Sequence, residues 1–249
     1  MKCVILAAGI AKRLRPLTLD TPKCLLKIGG KPILQRIIEN VLAAGIHEIG
    51  VVTGFGERKI QSLVRRKFGS GACTFICNPR FRATNNAYSL FLARTFVSGA
   101  PFLLLDSDIL FGSRLLKTLL NVPRRPNRLA VRVTGRHDEE EIRIKINRWD
   151  HIRQIGKHVP LRETYGESIG VEIFSPPAAM QLFEVLERRI KNGKGRTEFY
   201  EAAFQELIDG GTKLWAVDIG SMPAVEIDTP EDLARAVQLA GSWNETAHF

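Results

Sequence analysis

The first half of the chain alternates short, mostly apolar segments with segments that carry apolar residues at helical spacing. Residues 2–7, 48–53, 73–77, 101–105 and 129–133 are typical of strands, and residues 32–44, 57–68, 87–96 and 113–120 are typical of helices. Strands that are apolar on both faces are covered by helices on both sides. The pattern therefore predicts an α/β fold, with three αβα layers around a mostly parallel, mixed, Rossmann-like sheet.

The second half of the chain has a different pattern. Residues 142–147 and 151–157 predict a hairpin, residues 168–174 and 213–217 predict strands, and residues 176–191 and 198–209 predict helices. Thr229 and Pro230 are typical of the cap and the first turn of a last helix. Because no internal repeat or linker is visible, we expect residues 1–249 to form one domain, with halves at 1–135 and 136–240. The tail at 243–249 is expected to be poorly ordered.

The composition narrows the range of partners. Lys and Arg number 36 against 26 Asp and Glu, which gives a formal net charge of +10. Such an excess suits nucleic acids, acidic membranes or small phosphorylated ligands. The basic residues are spread along the chain without a nucleic-acid-binding motif, and no apolar run approaches the roughly 18 residues of a membrane span. We therefore expect no nucleic-acid or membrane partner and a cytoplasmic protein, and we leave the oligomeric state open.

The loop after the first strand carries the first candidate chemistry. Gly9 ends the apolar run, and Arg13 and Arg15 follow within a few residues. Glycine allows close approach of the backbone, and Arg can form paired hydrogen bonds with phosphate oxygens. Lys23 follows the rigid Pro22 and could supply a further cation. The loop could bind a polyphosphate, although an ordinary strand-to-helix turn would have the same composition.

Acidic residues at two later points suggest a metal site. Asp106 and Asp108 follow an apolar strand, at the edge of a parallel sheet where ligands bind. Mg²⁺ prefers such carboxylate oxygens together with substrate phosphates. Asp228 precedes the last helix and could be a second ligand. The alternatives are that Asp106 or Asp108 caps a turn, and that Asp228 interacts with the helix N-terminus.

These motifs together resemble those of the nucleotidyltransferases, the family of nucleoside-diphosphate-sugar pyrophosphorylases and bacterial phosphocholine cytidylyltransferases. The family begins L-A-A-G-x-G-x-R-L-x-P and continues with T-P-K, and residues 6–16 and 21–23 follow both motifs. The resemblance extends from residue 2 to about residue 239. The chain departs from it at Ala11, where the family usually has Gly, so the tightness of the phosphate loop is in question.

The resemblance implies a role for each motif. The first half would bind the nucleotide and the second half the acceptor. The backbone of four consecutive residues would hold the base and ribose, namely Leu6, Ala7, Ala8 and Gly9. Arg13 would bind the β- and γ-phosphates, and Lys23 would neutralise phosphate charge. Asp108 and Asp228 would hold Mg²⁺, and the role of Asp106 is left open.

The resemblance also favours particular substrates. Residues 85–90, N-N-A-Y-S-L, are similar to a segment of the phosphocholine cytidylyltransferases, which implies CTP as the donor. Asn78, Asn85 and Asn86 would then lie near the base or ribose, although paired Asn residues before a helix could instead be caps. A choline-type acceptor would need an aromatic face and a carboxylate. Candidates for this are Tyr165, Glu198, Tyr200, Glu201 and Trp215, and candidates for a sugar acceptor are Glu167, Ser168 and Gly170.

The sequence therefore predicts a Mg²⁺-dependent nucleotidyltransferase. The preferred reaction is transfer of CMP from CTP to a small phosphorylated acceptor such as phosphocholine or a phosphonate. An acceptor oxygen would attack the α-phosphorus and pyrophosphate would leave, with catalysis by positioning and charge stabilisation. The alternatives are a sugar-1-phosphate nucleotidyltransferase and a non-catalytic nucleotide sensor or subunit. A dinucleotide oxidoreductase is disfavoured because residues 9–11 do not continue as G-x-G-x-x-G.

Overall fold

A computed structural model describes residues 1–133 and 141–246 of the chain. The expected boundary between the two halves, at residue 135, lies outside these ranges, as do residues 247–249. The strands are β1 (Lys2–Ala7), β2 (Lys27–Ile28), β3 (Lys31–Pro32), β4 (Glu48–Thr53), β5 (Thr74–Cys77), β6 (Phe102–Asp106), β7 (Ile109–Phe111), β8 (Arg128–Arg132), β9 (Arg143–Ile146), β10 (Ile152–Ile155), β11 (Gly166–Phe174), β12 (Trp215–Asp218) and β13 (Ala224–Glu226).

Eight helices accompany these strands in the described ranges. They are α1 (Ile33–Ala43), α2 (Glu57–Phe68), α3 (Asn86–Leu92), α4 (Arg94–Val97), α5 (Ser113–Leu120), α6 (Pro176–Lys191), α7 (Glu201–Asp209) and α8 (Pro230–Thr246). Short 3₁₀ turns at Lys12–Leu14 and Lys23–Leu25 follow β1. Among the residues described, no helix is both long and apolar enough to cross a lipid bilayer.

Nine strands form the central sheet, which is mixed. The strands β5, β4, β1 and β6 are neighbours in that order and are all parallel. Next to β6, the long strand β11 runs antiparallel to β6, β8 and β9, and β10 pairs with β9 as the hairpin that the sequence predicts. The added strand β12 is parallel to β8. Strands from both ends of the chain therefore share one sheet.

Helices cover both faces of this sheet. One core lies beneath α1, α2 and α5, where Ile37, Val64 and Leu116 pack against Ile5 and Leu103. The other core lies beneath α3, α6 and α7, where buried aromatic side chains cluster, namely Phe102, Phe174, Phe183, Tyr200 and Phe204. The α/β fold class with three layers and a Rossmann-like sheet is confirmed.

A two-stranded ladder outside the main sheet links the middle of the chain to its end. In this ladder β7 and β13 are antiparallel, with Ile109 opposite Glu226 and Phe111 opposite Ala224. The residue that precedes β7 is Asp108, and the residues that follow β13 lead to Asp228. The ladder therefore brings the two predicted metal ligands to the same edge of the fold.

Several element boundaries differ from the sequence prediction. The helix expected over residues 87–96 is divided at Ala93, whose N–H bonds to the carbonyl of Leu90, three residues back instead of four. The helix expected from residue 198 begins at Glu201, so Tyr200 lies at its N-terminal cap position. The last helix continues through Thr246, into the segment that was expected to be poorly ordered.

Candidate active site

A polar cleft opens at the carboxyl ends of β1 and β6, and we call it the main cleft. It encloses about 320 Å³. Its lining consists of Leu6, Ala7, Ala8, Gly9, Ala11, Arg13, Pro22, Lys23, Cys24, Asn78, Phe81, Thr84, Asn85, Asn86, Ser89, Asp106, Ser107, Asp108, Phe199, Glu226 and Asp228. The cleft therefore brings together the predicted nucleotide-binding, catalytic and metal-binding residues from four separate parts of the sequence.

The loop after β1 forms one wall of the main cleft. Its left-handed residue is Ala11, with φ 52° and ψ 58°, the position at which the family motif has Gly. The carbonyl of Ala11 accepts hydrogen bonds from the Thr18 hydroxyl, at 2.7 Å, and from the backbone N–H of Leu14. A Cβ added at Gly9 would meet no atom within 4 Å, so the space beside this glycine is open to the cleft. The fold thus holds the loop while leaving room for a ligand at its start.

Lys23 lies between the two predicted metal ligands. Its Nζ atom is 2.6 Å from Asp108 Oδ2 and 2.6 Å from Asp228 Oδ1, and its side chain is mostly buried. Burial by itself disfavours the ammonium form, but Asp108 and Asp228 more than offset this effect and raise the pKa of Lys23 above its ordinary value. Arg13 also reaches Asp228, with Nη2 2.7 Å from Oδ2, although the guanidinium remains largely exposed. Lys23 is therefore charged at neutral pH, and the exposed Arg13 side chain can also contact a ligand in the cleft.

Three acidic residues of the cleft offer oxygen atoms that could coordinate a cation. Carboxylate oxygens of Asp108, Glu226 and Asp228 all lie within 4.8 Å of one another. In addition, Oδ1 of Asp108 is buried without a hydrogen-bond partner in the described part of the chain. Oxygen atoms from carboxylates are the donors that Mg²⁺ prefers, so the residues present fit a divalent hard cation.

The three predicted asparagines line another wall of the cleft and also form hydrogen bonds within the protein. Asn78 is buried and donates to the hydroxyls of Thr84 and Ser89, at 3.1 and 3.0 Å. Asn85 caps α3, as the alternative interpretation of the sequence expects, because its side chain accepts the N–H of Asn86. The side-chain oxygen of Asn86 in turn accepts the backbone N–H of Tyr200. These hydrogen bonds position the backbone of this wall, and the asparagines of the sequence motif form them.

Asp106 lies beside these three acids and bonds to a buried side chain. Its Oδ2 atom accepts a hydrogen bond of 2.7 Å from the hydroxyl of Tyr200. Burial, followed by the charge of Asp108, raises the pKa of Asp106 well above its usual range, and the bond from Tyr200 opposes this shift. Gly170 makes room for this carboxylate, because a Cβ at that position would lie 2.7 Å from Asp106 Oδ2.

The four predicted acceptor-binding residues are not brought together. Glu167 and Ser168 line a recess that adjoins the main cleft through Arg13, Glu226 and Asp228. Burial and the nearby Glu141 raise the pKa of Glu167 to about 7.

The other two acceptor candidates lie elsewhere. Glu198 lines a separate cavity and pairs with Arg189 at 2.8 Å. Tyr200 is only 1% exposed and is not among the residues that line the main cleft. It contacts that cleft through Asp106.

Several residues that line the main cleft were not predicted from the sequence, among them Phe81, Thr84, Glu226 and Phe199. Glu226 precedes Asp228 by two positions at the end of β13, and this spacing was its only signal. Phe199 is 47% exposed and lines both the main cleft and the cavity that contains Glu198. No motif marked Phe199, because its importance depends on how the segment before α7 is placed.

A family model described as nucleotidyl transferase matches residues 2–143, more than half of the chain. The chain belongs to this family. The match includes the loop after β1 and the strand that leads to Asp106, and it agrees with the motifs that suggested the family. The prediction of the family is confirmed.

Curated relatives align with the chain over parts of their length. CMP-5'-(3-aminopropyl)phosphonate synthase of Streptomyces rubellomurinus is 28% identical over 246 residues, which is 95% of this chain and 38% of that protein. Choline-phosphate cytidylyltransferase of Streptococcus pneumoniae is 36% identical over 94 residues, 38% of this chain and 39% of the relative. The chain thus spans less than half the length of these two relatives in the alignments.

Solved structures of low sequence identity share the fold. The inositol-1-phosphate CTP transferase from T. maritima has a TM-score of 0.81 at 23% identity and is covered over 94% of its length by 96% of this chain. A UDP-glucose pyrophosphorylase complexed with UDP-glucose has a TM-score of 0.78 at 17% identity, with 98% of each chain covered. Enzymes whose names include CTP and UDP therefore have the same architecture.

Proposed function

We propose that this protein transfers the CMP group of CTP to a small phosphorylated or phosphonylated acceptor and releases pyrophosphate. The observation that carries the proposal is the convergence of Arg13, Lys23, Asp108 and Asp228 on the main cleft. Two cations beside a pair of carboxylates suit a metal-bound triphosphate better than an uncharged ligand. A sensor or subunit without catalysis would not need this combination of charges.

The names of the relatives support the choice of substrates. Two curated relatives are a CMP-phosphonate synthase and a choline-phosphate cytidylyltransferase, and others are a CTP:phosphoglutamine cytidylyltransferase and a 2-aminoethylphosphonate cytidylyltransferase. Each name includes a cytidine nucleotide and an acceptor with one phosphate or phosphonate group. The shared feature favours CTP over other triphosphates for this chain.

The residues of the chain supply positioning and charge. The backbone from Leu6 to Gly9 is the floor on which base and ribose would lie, with Asn78 and Asn86 on the facing wall. The half-exposed Arg13 would exchange its contact with Asp228 for the β- and γ-phosphates. Lys23 would neutralise charge on the α-phosphate and on the attacking acceptor oxygen. Because a phosphate or phosphonate oxygen is already ionised at neutral pH, the attack needs no strong general base.

Asp108, Asp228 and Glu226 are the residues that would hold Mg²⁺. When bound, the ion would stabilise negative charge on the phosphate oxygens during transfer. Lys23 occupies the space between Asp108 and Asp228, so we expect it to give up at least one of these carboxylates when a cation and triphosphate bind. This exchange would turn the ammonium toward the substrate phosphates.

The proposal is tested by measuring pyrophosphate release. The protein is mixed with MgCl₂, one of five triphosphates (CTP, UTP, GTP, ATP or dTTP) and a panel of phosphomonoesters, phosphonates and sugar 1-phosphates. We expect CTP with a small phosphate or phosphonate to give the highest kcat/KM. Faster reaction of UTP or dTTP with a sugar 1-phosphate would instead identify a sugar nucleotidyltransferase. Nucleotide binding without release from any pair would favour the sensor role and contradict the proposal.

A further inference from the structure

A buried carboxylate residue, Glu201, lines a cavity that no sequence motif marked. We call it the side cavity; it encloses about 740 Å³ between α7 and the β9–β10 hairpin. Glu201, the first residue of α7, lines it and is 7% exposed, and its Oε2 atom has no hydrogen-bond partner in the part of the chain that the structure describes. Burying a charged oxygen without a hydrogen bond destabilises a protein, so this atom indicates a ligand that would donate the missing bond.

The surroundings of Glu201 are predominantly acidic. Glu172 is fully buried, and its Oε2 atom also lacks a partner among the described residues. Burial, followed by the charge of Asp106, raises the pKa of Glu172 well above its usual range, and Glu201 adds to this effect. Burial raises the pKa of Glu201 itself to about 7, with Lys157 acting in the opposite direction. These carboxylates lack a nearby positive charge sufficient to offset their burial and mutual repulsion. A bound cation would supply that charge.

Other charged residues of the side cavity already have partners. Arg189 pairs with Glu198 at 2.8 Å and with Glu206 at 2.7 Å. The Nζ atom of Lys157 lies over the ring of Phe199, 5.8 Å from its centroid. Glu201 thus differs from Glu198 and Glu206, which line the same cavity but are each bonded to arginine.

Phe199 connects the side cavity to the main cleft. Its exposed ring is part of the lining of both. A molecule with a phosphate or phosphonate beside Lys23 could therefore extend past Phe199 and place its other end near Glu201.

Resting on the function proposed above, we propose that the acceptor carries a protonated amine and that Glu201 binds its ammonium group. An ammonium N–H would donate to the unpartnered Oε2 atom, whereas a trimethylammonium group has no N–H to donate. A quaternary cation would instead need several aromatic faces. Among the described lining residues of the side cavity, Phe199 is the single Phe, Tyr or Trp. The preferred acceptor class is therefore an aminoalkyl phosphate or phosphonate rather than phosphocholine.

Acceptors that differ in the amine test this proposal on the unaltered protein. With CTP and MgCl₂, the kcat/KM of pyrophosphate release is compared for 2-aminoethylphosphonate and ethylphosphonate, and for phosphoethanolamine and phosphocholine. We expect the amine-bearing member of each pair to be preferred at least tenfold, mainly through KM. Equal values within both pairs would overturn the proposal while leaving cytidylyl transfer intact.

A variant assigns the preference to Glu201. In Glu201→Gln the amide cannot provide the negative charge, so the preference for 2-aminoethylphosphonate over ethylphosphonate should fall at least tenfold. Glu206→Gln is the matched control, because Glu206 lies on the same helix and lines the same cavity but is paired with arginine. An unchanged preference in Glu201→Gln would overturn the assignment. If this variant does not fold, the comparison of acceptors on the wild-type chain decides, and no release with any acceptor would refute this proposal and the proposed function together.

Discussion

The backbone N–H of Ile227 donates a hydrogen bond of 3.0 Å to the carbonyl of Asp108. This bond continues the antiparallel pairing of β7 with β13, in which Ile109 lies opposite Glu226. Two acids from distant parts of the chain, Asp108 and Asp228, are thus set at one position by backbone pairing. Lys23 then bonds to both of them. The acidic end of the main cleft is therefore positioned by backbone pairing and does not depend on flexible side chains alone.

Replacing Asp108 by Asn should abolish most of the activity without unfolding the protein. The variant keeps the backbone bond with Ile227 and the shape of the side chain but loses the charge that would hold a divalent cation. We expect kcat of pyrophosphate release to fall by about 100-fold or more, the typical effect of losing one charge-stabilising group. Asp150→Asn is the control, since Asp150 pairs with Arg125 and is not among the residues lining the main cleft. Unchanged activity of the Asp108 variant, with a normal melting temperature, would refute its role.

Replacing Lys23 by Gln should make the protein more dependent on Mg²⁺ for stability. Without the ammonium, Asp108 loses its cationic partner and Asp228 keeps only the exposed Arg13. We therefore expect a loss of about 1–2 kcal/mol in the free energy of unfolding. A divalent cation would supply the missing charge, so MgCl₂ should raise the Tm of this variant more than that of the wild type. Lys31→Gln, which breaks the exposed pair with Glu39, is the control. Equal Mg²⁺ effects on all three proteins would argue against a cation site between Asp108 and Asp228.

Local sequence pattern was sufficient to predict much of the fold. The helix α6 was predicted with its observed bounds, because Pro at its start and the apolar spacing mark it clearly. The strand β7 was missed because residues 109–111 are too few for a periodic pattern. The split at Ala93 was missed because it depends on one hydrogen bond that reaches three residues back instead of four. No residue type signals such a bond.

The main cleft was predictable to the extent that motifs determine it. Arg13, Lys23, Asp108 and Asp228 were named from the sequence, and the structure brings them into contact. The side cavity and Phe199 were not, because they arise where α7 packs against the β9–β10 hairpin, and this contact is set by tertiary structure. Glu201 was named among five candidates for binding a cation, but burial and the missing partner, which distinguish it, cannot be inferred from sequence.

Replacing Ala11 by Gly should not destabilise the protein, in contrast to an ordinary Ala→Gly change. Ala11 has φ 52°, and the left-handed conformation costs an L-residue about 1–2 kcal/mol. Glycine would relieve this strain but would add about 0.4–1 kcal/mol of unfolded-state entropy. We expect the free energy of unfolding to stay equal or rise by up to about 1 kcal/mol, measured by denaturant unfolding. Ala43→Gly in α1 is the control and should lose about 0.5–1 kcal/mol. A larger loss at Ala11 would contradict the left-handed turn.

The dependence of stability on pH provides a separate test of Glu201. Its pKa is raised by burial to about 7 in the folded protein, whereas a Glu in the unfolded chain has a pKa of about 4.3. The folded chain therefore binds more protons than the unfolded chain between these values. The contribution of Glu201 to the free energy of unfolding is therefore present at low pH. It is lost as the pH rises from about 4.5 to about 7.

Replacing Glu201 by Gln should remove this fall in the free energy of unfolding with rising pH. The difference in unfolding free energy, variant minus wild type, should increase by about 1–3 kcal/mol between pH 5 and pH 8 without substrates, because only the wild type must bury a new negative charge. Denaturant unfolding at the two pH values measures it, and Glu206→Gln, whose carboxylate is paired with Arg188 and Arg189, should show no such increase. Addition of an aminoalkyl phosphonate with CTP should reduce the difference in unfolding free energy between variant and wild type at pH 8. The reason is that the ammonium group would stabilise the charged carboxylate of the wild type. A pH-independent difference would mean that Glu201 is solvated and would weaken its assignment as the ammonium ligand.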